Sequence, residues 1–305
     1  MKIKNVAVIG LGAMGGQLAT LLLQSGYNVK GFDIIEEKMK RLTPIGLKIS
    51  RSPKDAASGV ELVVLSLQTW DIVKDVTLGK KGILASKNPG KIIMDTSTVP
   101  PAESRSMAEQ LSVKGIDWLD VPISGSSAQL KVGNVVFMAA GKKSVFNIIK
   151  PVLEKIGKKA VYVGPNGDAA MLKIVVNTIL YLNQAAAIEG FVLGLKAGLN
   201  PDVMFEVVSS GGAGSDLISA RGRDMLTGNF EPKGALGIKS LDFALENAER
   251  LGVILPMTAL YRQFMLQAFY NGWGGNDGTA VMTVYEQLAG IKRKKTPPRP
   301  LAKRK

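Results

Sequence analysis

Neither cysteine nor histidine occurs among the 305 residues. The first absence excludes a disulfide framework, a thiolate nucleophile and a cysteine-ligated metal, and the second removes the commonest metal ligand, so no metal site is expected. Any proton chemistry has to come from other side chains. Acids are missing from one stretch in particular: residues 291–305, IKRKKTPPRPLAKRK, hold eight Lys or Arg and no Asp or Glu. Without those eight, 31 cations face 25 acids, and the formal net charge of +14 falls to about +6 on residues 1–290. The basic tail, with its prolines, reads as a disordered, solvated end; binding to an acidic surface or nucleic acid is the alternative. The first strand-like run begins at Val6 and leaves no space ahead of it for a secretory leader, so a cytoplasmic protein is expected.

A hydrophobic content of 46% in a chain of this length is enough for a sizeable core in one large domain or two ordinary ones. Up to about residue 163, short β-branched runs alternate with helical stretches: VAVIG, NVKGFD, ELVVLSL, KIIMDTS, IDWLDVP, VVFMAAG and AVYVG. Seven such runs predict a largely parallel sheet covered on both faces. From Ala169 to Ala197 there is no proline and much Leu, Ile, Val and Ala, and helical patterns continue to about Gly290. The predicted fold is therefore α/β: an N-terminal Rossmann-type, doubly wound sheet over 1–163, an all-α domain over 164–290 for substrate binding and oligomerisation, and the tail 291–305. A membrane span over 174–195 is the competing reading of the long apolar run. Asn177, Asn183, Gln184 and Glu189 interrupt it, which favours a buried core helix.

VAVIGLGAMGGQLATLLLQSG sets Gly10, Gly12 and Gly15 directly after a strand and at the start of a helix. In that context Gly10 permits a tight turn, Gly12 lets the backbone approach a pyrophosphate, and Gly15 allows the helix to pack close on the strand. The loop Gly10, Leu11, Gly12, Ala13, Met14 and Gly15 would hold the phosphates on free N–H groups. Asp33 ends the second strand, where a carboxylate accepts from both ribose hydroxyls and repels a 2′-phosphate. Ile34 and Ile35 bring no arginine to welcome that phosphate, so NAD is favoured over NADP. S-adenosylmethionine is the runner-up ligand by the same logic.

GDAAMLKIVVN places Lys173 and Asn177 four residues apart on one helix, and Tyr181 and Gln184 extend the same polar stripe, which is expected to face a cleft. A lysine partly desolvated there loses some preference for its charged form and can exchange protons. PISGSS contributes Ser124, Gly125 and Ser126 just after a strand, where hydroxyls and N–H groups can converge on a carboxylate; on its own the string reads more readily as a turn.

With these pieces in place, the sequence resembles the β-hydroxyacid dehydrogenase family of the 3-hydroxyisobutyrate dehydrogenase type, from about residue 4 to 290. GLGAMGGQLA is similar to its N-terminal fingerprint, DTSTVPP to its nicotinamide-ribose segment, and DVPISGSSAQLKVGNVVFMAAG to its substrate loop. GPNGDAAMLKIVVN, GNFEP and LGIKSLDFAL are similar to the catalytic-lysine segment, a loop near the substrate and a C-terminal lysine motif. The resemblance implies that Lys173 is the catalytic acid/base and Asn177 orients a small hydroxy-acid substrate. It implies that Ser124, Gly125 and Ser126 bind the substrate carboxylate, that Leu67, Gln68, Thr98 and Lys239 touch the NAD cofactor, and that the protein is a homodimer or homotetramer. Three positions depart from the family: Ser126 stands for a usual glycine, Ser240 for the acid usually following Lys239, and Gln68 for a common proline. The alternatives are a semialdehyde or glyoxylate-type reductase using NADPH, and a non-enzymatic scaffold with a nucleic-acid-binding tail.

Overall fold

The computed structural model describes residues 2–231 and 236–293. Pro232 of the GNFEP stretch and residues 294–305 of the tail lie outside the described residues. The chain divides into two compact units, Met1–Lys173 and Ile174–Lys305.

The first unit is built on nine strands: β1 (Asn5–Ile9), β2 (Asn28–Phe32), β3 (Lys48–Ile49), β4 (Leu62–Leu65), β5 (Ile92–Asp95), β6 (Asp117–Asp120), β7 (Ile123–Ser124), β8 (Val136–Ala140) and β9 (Lys159–Gly164). They form one sheet in the order β3-β2-β1-β4-β5-β6-β8-β7, with β9 on β8. The pairs from β3 through β6 are parallel, β8 runs antiparallel to β6 and β7, and β9 is parallel to β8. The order 3-2-1-4-5-6 is that of a doubly wound dinucleotide-binding sheet, whose ligand crevice lies outside the carboxyl ends of the strands where the order reverses, here β1 and β4.

Alternate residues of the central strands enter opposite cores, as the pleat requires. Val6, Val8, Leu62 and Val64 join one buried cluster, and Ala7, Ile9, Val63 and Leu65 the other. These strands read as continuous apolar runs because both faces are covered by the unit's helices: α1 (Ala13–Gln24), α2 (Glu36–Lys40), α3 (Pro53–Ala56), α4 (Trp70–Leu78), α5 (Pro101–Ser112), α6 (Ser127–Lys131) and α7 (Lys143–Ile156). The seven expected runs are all strands. β3 and β7 are additional, and at two residues each they are too short to carry an alternation signal.

α8 (Asp168–Lys196) begins in the first unit and continues into the second, followed by α9 (Pro201–Ser210), α10 (Asp216–Thr227), α11 (Ile238–Leu251), α12 (Pro256–Ala268) and α13 (Met282–Leu288). Ile188 and Phe191 of α8 pack in the second core with Phe230, Tyr261 and Met265, and the Trp273 ring meets Phe230 edge-on at 5.8 Å. Among the described residues α8 is the one helix long and apolar enough to cross a membrane by length and composition.

The last strand ends at Gly164, where the sequence reading places its boundary, yet the compact first unit extends to Lys173. Hydrogen bonds account for the difference, because the buried Asp120 carboxylate accepts from the Gly167 and Ala170 N–H groups and so ties the start of α8 to β6. Two further expectations need correction. Gln184 does not face a cleft: it is buried, and its amide donates to the Tyr261 hydroxyl at 2.7 Å and the Gly278 carbonyl at 2.8 Å. Arg293 is no loose part of the tail, since it pairs with the buried Glu286 and donates to the carbonyls of Met225 and Leu226. A charge run read along the sequence conceals a cation anchored by residues nearly seventy positions away.

Candidate active site

β1 stops at Gly10, whose φ of +89° is open to glycine and costly for other residues. Its N–H donates to the Phe32 carbonyl, and a side chain there would strike the Ser66 carbonyl at the end of β4. Gly15, in the first turn of α1, sits so close that a Cβ would overlap the Gly10 carbonyl oxygen, which is the close helix–strand packing the motif requires. Gly12 differs from both. It is the N-cap of α1 with no side-chain cap bond, and a Cβ built on it meets no atom within 4 Å. The N-terminus of a twelve-residue helix, at Gly12, Ala13 and Met14, is thus open to an anion. Bare backbone of this shape fits a dinucleotide pyrophosphate.

Asp33 lies at the carboxyl end of β2 and is 7% exposed. Its Oδ2 accepts from the Leu11 N–H at 2.7 Å, binding the acid to the glycine loop, and its Oδ1 accepts from Ile35 N–H at 2.9 Å. The Lys38 ammonium stands 3.3 Å from both oxygens. This lysine, five residues beyond the acid on α2, escapes a sequence reading that looks only at the two isoleucines, and its charge offsets part of the carboxylate's repulsion of a 2′-phosphate.

The next two strand ends are joined by a hydroxyl. Ser97 Oγ accepts from the Leu67 N–H at 2.9 Å, and Thr96 Oγ1 donates to the Leu65 carbonyl at 2.6 Å. These bonds hold Leu67 and the neighbouring Gln68, after β4, beside the segment after β5 that carries Thr98.

After β6 the chain turns into β7 and then α6. Ser124 and Gly125 follow Ile123, and Gly125 has φ +141° with a Cβ position that would run into Val135. Ser126 has a further duty: it is the N-cap of α6, accepting from Gln129 N–H while its own N–H donates to Gln129 Oε1. Its oxygen is committed as an acceptor, which leaves the hydroxyl proton as the donor it can offer a carboxylate. From the first turns of α8, the Lys173 ammonium donates to the Ile123 carbonyl at 2.8 Å, next to Ser124. Burial lowers the Lys173 pKa to about 8. Asp120 accepts from the first turn of the same helix, and burial pushes its carboxyl up while those hydrogen bonds pull it down.

In the second unit Asn177 is 6% exposed, and its Nδ2 donates to Ser240 Oγ on α11 at 3.0 Å. Lys239, in the same first turn of α11, lies 5.4 Å from the centre of the Phe243 ring.

Residues 5–164 match the family model for the NAD binding domain of 6-phosphogluconate dehydrogenase, and residues 167–285 match that described as NAD-binding of NADP-dependent 3-hydroxyisobutyrate dehydrogenase. The chain belongs to the β-hydroxyacid dehydrogenase family. Among the relatives of this dehydrogenase is the 2-(hydroxymethyl)glutarate dehydrogenase of Eubacterium barkeri, 34% identical over 94% of this chain and 96% of that protein. The crystal structure of a 3-hydroxyisobutyrate dehydrogenase from Salmonella typhimurium superposes with a TM-score of 0.85 at 26% identity, covering 92% of this chain and 99% of that one. The structure of Psf3 in complex with NADP+ and 2-OPP gives the same TM-score at 25% identity, again over 92% and 99% of the two chains. The β-hydroxyacid dehydrogenase described here is accordingly an enzyme of hydroxy-acid oxidoreduction with a nicotinamide cofactor. Lys38, Ser97, Asp120 and Ser240 make contacts that the sequence reading did not find, although the last three lie within the motifs quoted above. The partners of Ser97, Asp120 and Ser240 are thirty or more positions away in sequence.

Proposed function

We propose that this dehydrogenase interconverts a short 3-hydroxy acid and its semialdehyde or keto form with NAD, using Lys173 as the acid/base. The observation that carries the reading is the half-buried amine of Lys173, held beside Ser124 with a pKa near 8. Such an amine is populated in both protonation states near neutrality, as an acid/base group must be. In oxidation the neutral amine takes the substrate hydroxyl proton, and in reduction the ammonium returns a proton to the carbonyl oxygen. When bound, the nicotinamide supplies the hydride acceptor or donor. Ser124, the Gly125 backbone and the Ser126 hydroxyl receive the substrate carboxylate, Asn177 orients the substrate, and Leu67, Gln68, Thr98 and Lys239 contact the cofactor.

Asp33 supports NAD, and the Lys38 ammonium favours a second reading, a semialdehyde reductase that uses NADPH. One panel separates them: 3-hydroxyisobutyrate, serine, threonate, glycerate and succinic semialdehyde, each with NAD(H) and NADP(H), followed by the near-ultraviolet absorbance of the reduced nicotinamide. We expect kcat/KM to be higher with NAD, and Asp33→Asn to narrow the gap. Equal use of both cofactors by the wild type would overturn the NAD assignment.

Self-association through the second unit belongs to the same proposal. Exposed Leu193, Val203 and Val207 border an apolar groove of about 860 Å³ between α8 and α9, lined also by the buried Gly194 and Met204. Apolar surface of this kind marks a contact with another chain. Light scattering should give a dimer or tetramer, and a mass of 32.5 kDa at micromolar concentration would rule that out.

A further inference from the structure

A polar knot in the second unit gives a new role to Ser240. Its Oγ accepts from Asn177 Nδ2 at 3.0 Å, and it also bonds the phenol of Tyr181, one helical turn beyond Asn177 on α8. Burial pushes the Tyr181 phenol up, and the bond to Ser240 opposes it. The phenol can reach this place because the residue ahead of α11 is Gly237, at φ +88°: any Cβ there would overlap the Tyr181 ring and hydroxyl.

We propose that Ser240 is a positioning residue that holds the side-chain amide of Asn177 in place from α11, so that the amide meets the substrate in one position. The inference rests on the orienting role proposed above for Asn177. An untethered amide would turn among several rotamers, and productive binding would be diluted by the wrong ones. Ser240 acts entirely through Asn177.

The experiment is a double-mutant cycle on KM, with 3-hydroxyisobutyrate, or whichever compound of the panel turns over fastest, as the varied substrate. Ser240→Ala should raise KM about three- to tenfold, the size of one net hydrogen bond, with kcat and NAD affinity nearly unchanged. Asn177→Ala should raise KM at least as much, and the double variant should match Asn177→Ala alone. Ser240→Thr keeps the hydroxyl and should restore KM. A double variant whose KM rises by the product of the two single effects would overturn the role of Ser240 while leaving that of Asn177 intact. So would a Ser240→Ala protein that loses Tm without changing KM. If Asn177→Ala left both KM and kcat unaltered, the orienting role and the inference built on it would fall together.

Discussion

Lys173→Ala is expected to lower kcat by about a hundred- to ten-thousand-fold while the dissociation constant of NAD hardly changes, since positioned acid–base help is worth that much and the cofactor loop lies elsewhere in the fold. Lys173→Arg should not rescue the loss, because a guanidinium stays protonated at any working pH and cannot take the hydroxyl proton. The pH profile gives the same residue a second signature. Burial brings the Lys173 pKa down to about 8, so the amine is mostly protonated below that value and mostly free above it. Oxidation needs the free amine, and its kcat/KM should climb through about pH 8. Reduction needs the ammonium and should decline over the same interval. Lys173→Ala should erase the shared inflection from what activity remains. Near-normal turnover by Lys173→Ala would make the lysine structural and shift the search to Tyr181, Lys239 and the carboxylates.

Two glycines six and three residues past the end of β1 should fail in opposite ways. Gly15→Ala forces a methyl into the Gly10 carbonyl, and because backbone lies on both sides the clash cannot be relieved by turning a side chain. It should cost about 1–3 kcal/mol or more of stability, visible as a lowered Tm without any ligand. Gly12→Ala meets no protein atom, so Tm without ligand should stay within about a degree or two of wild type. The added methyl instead stands where the pyrophosphate has to approach the chain, and NAD affinity should drop by an order of magnitude or more. Calorimetry with and without NAD distinguishes the two. Equal losses of Tm in the two variants would mean that the loop is a turn like any other and not a phosphate cradle.

Much of the first unit was legible in the sequence because it is specified locally. Runs such as LVVL have to be covered on both faces, and the spacing Gly10, Gly12, Gly15 after a strand has few other uses. β3 and β7 escaped because two residues carry no period. The finer chemistry escaped for another reason: it is made by pairs that the fold brings together. Asp33 could be read as an acid at a strand end, but its partner Lys38 depends on how α2 turns back. Asn177 and Ser240 are 63 positions apart, and Gln184 and Tyr261 are 77 apart. On a helical wheel Lys173, Asn177, Tyr181 and Gln184 form one stripe. Periodicity gives them a common face without revealing that Gln184 spends its amide inside the helical core.

The anchor of the Lys173 amine has a consequence for mutational tolerance. It is the main-chain carbonyl of residue 123, an atom that every amino acid supplies. Ile123 can therefore drift among residues that suit a short buried strand without disturbing the tether, whereas a change that shifts the path of β7 would displace it even if the residue at 123 stayed the same. Selection on this contact falls on the course of the backbone, and a comparison of side chains at position 123 would not reveal that the position matters.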